Sequence, residues 1–167
     1  MVKYCRIRYF PHVSNPGKRC ICAERYNVSM KNVLVGGCFD ILHYGHIAFL
    51  KQAKALGDHL VVALESDETV RRLKNEHRPI HTQHQRKQML EALSVVDEVV
   101  ELPPMTTDQE YFDFVKKLSP HVIAVTEGDP ILEKKKQQAE TVGAKLVVIP
   151  KIHTPSTSQL AKLLGLE

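Results

Sequence analysis

From residue 33 onward, short apolar runs alternate with stretches whose apolar residues recur every three or four positions. The runs at 33–35, 60–64, 98–102, 122–125 and 145–149 read as strands. Between them, Ile47, Leu50, Ala53 and Leu56 fall on one helical face, and Gly57 is well placed to end that helix. Further helices are predicted at 68–73, broken off by Arg78-Pro79, then at 83–93, 108–118, 131–142 and 156–164. Thr106 and Thr107 are good caps for the fourth of these six, and Gly143 closes the fifth. LVVAL at 60–64 is apolar on both faces, as a strand covered on both sides must be. Strand–helix alternation with buried strands predicts an α/β fold, a doubly wound parallel sheet of about five strands with helices on both faces. Ligands of such sheets sit beyond the carboxyl ends of the strands. The loops at 36–46, 65–67, 126–130 and 150–156 are therefore where chemistry is expected.

Residues 1–29 break this rhythm. They hold Arg, Tyr, Cys and Pro16-Gly17 with little periodicity, and Met30-Lys31-Asn32 then leads straight into the first strand. The expected organisation is an appendage over 1–29, such as an upstream extension of the reading frame, and one domain over 30–167. Three of the four cysteines, Cys5, Cys20 and Cys22, lie in that appendage near His12. The Cys20-x-Cys22 gap is tighter than zinc ligands usually adopt, which argues against a Cys3His site.

Composition narrows the partners. The chain has 167 residues, 43% hydrophobic and 25% charged, with a formal net charge of +4, an ordinary globular balance for one domain. Mild basicity suits an anionic small molecule as well as nucleic acid. Aromatics are only 6%, without a stripe for stacking on single strands, so no nucleic-acid partner is expected. Lys134-Lys135-Lys136 sits in a helical pattern and reads as a solvated face. No apolar run is long enough for a membrane span, and the first residues lack a secretory pattern, so the expected location is cytoplasmic with no membrane partner.

The densest chemistry is GGCFDILHYGH at 36–46. Gly36-Gly37 allow a tight turn close to a ligand. A helix then begins near His43 or Tyr44, and its unpaired amides and dipole favour an anion. His43 and His46 lie within one turn and can face that anion together. Gly45 removes a side chain where a nucleotide must approach. A metal pair would want a third ligand, for which Asp40 is the candidate. A P-loop ending and a G-x-G-x-x-G fingerprint are both missing. Cys38 sits where the buried strand ends and reads as a packed small residue.

This motif resembles the signature of the H-x-G-H nucleotidyltransferases. The resemblance extends through LGDHLVVALESDETVRRLK (56–74), RPIHTQHQRKQMLEAL (78–93), VDEVVEL (96–102) and STSQL (156–160), covering roughly residue 32 to the C-terminus. It implies a Rossmann-like domain that joins an NTP to a small phosphate monoester. Pyrophosphate is released by direct in-line attack on the α-phosphorus, with no covalent enzyme intermediate. By resemblance, His43, His46 and Lys74 are the catalytic residues. Gly37, Cys38, Phe39, Asp40, Gly45, Arg86, Glu127, Asp129, Ser156 and Thr157 form the nucleotide site, Arg86 gripping phosphates and Ser156-Thr157 donating to the β- or γ-phosphate. Mg²⁺ is the implied cofactor, no protein metal ligand is assigned, and a homodimer is compatible with the reading.

The substrate is less sharply marked. SDETVRRLKNEHRPI resembles heptose-1-phosphate adenylyltransferases and archaeal FAD synthetases. LGDHLVVA and VDEVV resemble glycerol-3-phosphate cytidylyltransferases equally well. Those cytidylyltransferases close with R-T-E-G-I-S-T-T, whereas this chain has KIHTPSTS at 151–158. The altered loop speaks against CTP, so the expected pair is ATP with a sugar-type phosphate, the alternatives being a CTP-dependent polyol-phosphate cytidylyltransferase or a FAD-synthetase-like adenylyltransferase. A nucleotide-binding sensor is the non-enzyme alternative, and it predicts binding without turnover.

Overall fold

The computed structural model describes residues 30–152 and 154–165. The expectations for 1–29, including Cys5, Cys20, Cys22 and His12, lie outside the described residues. The strands are β1 (Asn32–Gly37), β2 (His59–Leu64), β3 (Glu98–Glu101), β4 (Val122–Thr126) and β5 (Lys145–Ile149). The helices are α1 (Tyr44–Lys54), α2 (Asp67–Leu73), α3 (Gln83–Glu91), α4 (Asp108–Leu118), α5 (Leu132–Val142) and α6 (Thr157–Leu163). Every strand pairing is parallel, in the order β3-β2-β1-β4-β5. This is the predicted doubly wound α/β architecture, and strand order reverses between β1 and β4.

Alternation along the strands makes two cores. Val33, Val35, Leu60, Val62 and Leu64 face one side with Leu50 and Ala53 of α1 and Leu90 of α3. Leu34, Val61, Ala63, Ile123 and Val125 face the other with Val115 of α4 and Ala139 of α5. Side chains successive along a strand point to opposite faces, so each strand feeds both layers. Local chemistry sets the helix starts. Thr82, Thr107 and Ser156 each cap a helix by a reciprocal pair with Gln85, Glu110 and Gln159.

Two boundaries differ from the sequence reading in an informative way. β1 continues through both glycines, which pair with Ala63 and Leu64 of β2. The apolar run stops at Val35, but backbone pairing with β2 does not require a side chain. α2 ends at Leu73, six residues before Pro79, so the proline is not what stops it. Among the described residues no helix is long and apolar enough to cross a membrane.

Candidate active site

The site lies at the reversal between β1 and β4, where neighbouring connections leave on opposite faces and open a crevice. A cavity of about 330 Å³ there is lined by Gly36, Gly37, Cys38, Phe39, His43, Gly45 and His46 from one side. Lys74, Thr126, Asp129, Lys151, Ser156 and Thr157 line it from the others. Ten of the thirteen residues expected from sequence therefore meet in one place: His43, His46, Lys74, Gly37, Cys38, Phe39, Gly45, Asp129, Ser156 and Thr157.

His43 is the N-cap of α1, and its Nδ1 accepts the Gly45 amide at 3.1 Å. An accepting Nδ1 leaves the proton on Nε2, where it is available as a donor. The His43 and His46 rings stack at 3.9 Å between centroids, and Phe39 tilts against His46 at 5.1 Å. Phe39 adopts a left-handed backbone, φ 45°, to turn its ring back under the loop. That ring is why residue 37 is glycine: a Cβ there would sit 2.9 Å from it. At Gly45 a Cβ would meet Thr154 Oγ1 at 2.9 Å and the His43 ring at 3.0 Å. The crowding at Gly45 thus comes from the protein's own loop, where the sequence reading had assigned it to an approaching nucleotide.

Both histidines are held neutral. Burial lowers the pKa of His43, and burial with the neighbouring His43 lowers that of His46 to about 4, against a small opposing effect of the Ile41 backbone. Each is then a neutral imidazole with a single N–H rather than a fixed cation. Positive charge comes from Lys74, the exposed C-cap of α2, and from Lys151, whereas Lys135, which also lines the cavity, is paired with Asp129. Ser156 Oγ accepts the Gln159 amide at 3.3 Å, so its hydroxyl proton remains free to donate.

Asp40, Arg86 and Glu127 stand apart from this cavity. Asp40 is 2% exposed, paired to Arg78, and accepts the Ile80 amide at 2.7 Å. Arg86 is 0% exposed. Its guanidinium donates to the carbonyls of Cys38, His81 and Glu65 and to Asp67. It is placed to brace the loop from below rather than to touch phosphate. Glu127 faces a second chamber, and its carboxylate accepts the Lys151 amide. Sequence reasoning passed over Arg78, read only as part of a helix-breaking Arg-Pro pair. It also passed over Glu65 as an individual residue, although a carboxylate directly after the apolar run LVVAL marks a strand's carboxyl end.

The second chamber, about 620 Å³, shares Gly36, Gly37, Cys38, Thr126, Asp129 and Lys151 with the first. Its walls are largely apolar: Leu34, Ala63, Leu73, Leu102, Met105, Phe114, Val115 and Ile123. Glu65, Tyr111 and Arg72 are among its polar residues. Leu73 and Lys74, adjacent in sequence, face one chamber each.

The cytidylyltransferase-like family profile matches residues 34–160. The chain belongs to that family. It is 42% identical over 135 residues to a FAD synthase of Thermococcus kodakarensis, covering 79% of this chain and 88% of that protein. It is 40% identical over 136 residues to the bifunctional protein HldE of Wolinella succinogenes, covering 79% of this chain and 26% of that longer protein. Among solved structures it resembles a lipopolysaccharide core biosynthesis protein from Thermoplasma volcanium, with TM-score 0.60 and 28% identity. That match covers 74% of this chain and 97% of the other. The cytidylyltransferase-like chain is thus an enzyme, a nucleotidyltransferase. No group of three His, Cys, Asp or Glu among the described residues can hold a metal by itself, and Asp40 is taken up by Arg78. Among the described residues no three-ligand site for a resident Mg²⁺ is built, and none of the steps below depends on one.

Proposed function

We propose that the enzyme transfers AMP from ATP to the phosphate of an acceptor with a broad apolar body, of the flavin mononucleotide type. The observation that carries this is the apolar chamber sharing a wall with the histidine cavity. A polyhydroxylated acceptor would leave hydroxyls unpaired against Met105, Phe114, Leu102 and Ile123, whereas a planar ring buries its faces there at no such cost. The FAD synthases among the relatives support the same acceptor, since FAD is AMP joined to a flavin phosphate.

In this reading the triphosphate lies over the start of α1, with any Mg²⁺ entering as its counter-ion and so as part of the substrate. An acceptor phosphate oxygen attacks the α-phosphorus, a P–O–P bond forms, and pyrophosphate leaves with the bonding pair. His43 Nε2–H and His46 donate to the reacting and leaving phosphates, and Ser156 and Thr157 hold the far phosphates. Lys74 sits at the seam between the chambers, where a compact cation meets charge from both substrates. No protein nucleophile is needed; alignment and charge stabilisation carry the step. A sugar phosphate is the second reading, favoured by the HldE relatives.

The test is pyrophosphate release with ATP or CTP against flavin mononucleotide, heptose 1-phosphate and glycerol 3-phosphate. Release with ATP and the flavin is expected. CTP-only release, or turnover of the sugar phosphate alone, overturns the proposal. Nucleotide binding with no turnover of any pair points to a sensor.

A further inference from the structure

Glu65 stands at the carboxyl end of β2 and faces the apolar chamber. Its backbone is fixed at both ends: the amide donates to the Gly37 carbonyl at 3.1 Å, and its carbonyl accepts from Arg86 Nη2 at 2.8 Å. Its side chain is fixed by the Tyr111 hydroxyl, which donates to Oε2 at 3.0 Å. Oε1 has no hydrogen-bond partner among the described residues. Of the four cationic side chains lining the chamber, Arg72, Lys134 and Lys135 are already engaged, while Lys151 gives only its backbone amide, to Glu127. Arg72 donates to the Met105 carbonyl, Lys134 pairs with Asp108, and Lys135 pairs with Asp129.

We propose that the Glu65 carboxylate, aimed by Tyr111, recognises the body of the acceptor by accepting a hydrogen bond from an N–H or O–H upon it. This rests on the reading that the apolar chamber holds the acceptor. Apolar walls reward any ligand of suitable size, so they discriminate weakly. A rigid, partly desolvated carboxylate discriminates strongly, because an acceptor without the matching donor leaves it unpaired. Burial raises the Glu65 pKa against the opposing pull of Tyr111, Lys135, Arg72 and Arg86, which is what a desolvated carboxylate awaiting a donor should show. The groups facing it are Tyr111 from α4, Arg72 from α2, Lys135 from α5, Arg86 from α3 and Cys38 after β1.

The experiment measures separate KM values for ATP and for whichever phosphate monoester the wild-type enzyme accepts. Glu65→Leu is expected to raise the acceptor KM about tenfold, the loss typical of a hydrogen bond to a charged group, while the KM for ATP stays put. Glu65→Gln, which keeps an accepting oxygen, recovers part of that loss. In the wild type the acceptor KM rises as pH falls through the raised Glu65 pKa; in Glu65→Gln it does not. If Glu65→Leu fails to fold, Tyr111→Phe gives the same readout with a smaller rise. An unchanged acceptor KM, or both KM values rising together, overturns the assignment. Because the acceptor is whichever monoester turns over, failure with a flavin phosphate alone overturns the proposed substrate and leaves this assignment to be judged on its own.

Discussion

The loop after β1 has a foundation and a face, and the two are built from opposite materials. Beneath it, Asp40, Arg78 and Arg86 are 2%, 1% and 0% exposed and bonded to one another's surroundings: Asp40 to Arg78 and the Ile80 amide, Arg86 to three backbone carbonyls and Asp67. Above it, His43, His46, Lys74, Ser156 and Thr157 line an open cavity. The charges below are bonded to the protein; above, Lys74 is exposed and Ser156 keeps a free hydroxyl proton, while Thr157 makes a long bond to the Ile41 carbonyl at 3.5 Å. Such division follows from electrostatics. The loop after β1 is anchored in the core by Phe39 and Leu42, and charge-assisted bonds from Arg78 and Arg86 fix its remaining backbone.

The comparison breaks most directly at Arg78. Arg78→Ala leaves Asp40 buried without its ion pair, and removing one partner of a buried pair costs about 3–5 kcal/mol. Chemical denaturation of the variant measures this, and a loss below about 1 kcal/mol would show that the foundation is dispensable. On the face, the cost should appear in rate. His46→Ala is expected to lower kcat at least about a hundredfold, the loss typical of a transition-state charge donor. Single-turnover pyrophosphate release checks it, and unchanged turnover removes His46 from the proposed chemistry.

The same division explains what was legible in the sequence. The fold was legible because each strand and helix carries its own period, and LVVAL needs no partner to announce burial. That His43, His46 and Ser156-Thr157 would line one cavity was legible because they stand at helix starts beyond strand ends, whereas Lys74, at the end of α2, came only from the resemblance. Arg86 was recognised as a residue that matters, but its placement could not be read. An arginine on an amphipathic helix looks the same in sequence whether its guanidinium reaches phosphate or the Cys38 and Glu65 carbonyls. Asp40 was misplaced for a similar reason: its partner lies 38 residues away, and nothing local in sequence pairs them. Gly45 had the right physical demand, absence of a Cβ, attached to the wrong neighbour, since Thr154 approaches only after folding.

A smaller effect sharpens the contrast between the two chambers. His46 has its pKa lowered to about 4 from 6.5, chiefly by burial. Between those values the unfolded chain takes up a proton that the folded chain refuses. The stability His46 contributes is therefore complete above pH 6.5 and lost as pH falls toward 4. Glu65 runs the other way. Burial raises its pKa from 4.5, so its contribution is complete below pH 4.5 and lost as pH rises through the raised value. Denaturation midpoints from pH 4 to 8 separate the two. Relative to wild type, His46→Ala should gain ground as the medium becomes acidic, and Glu65→Gln as it becomes neutral. Each slope is a difference between variants, so the other titrating carboxylates cancel. Matching slopes for the two variants would mean that burial does not set these protons, and that the histidine cavity and the apolar chamber are not distinct electrostatic environments.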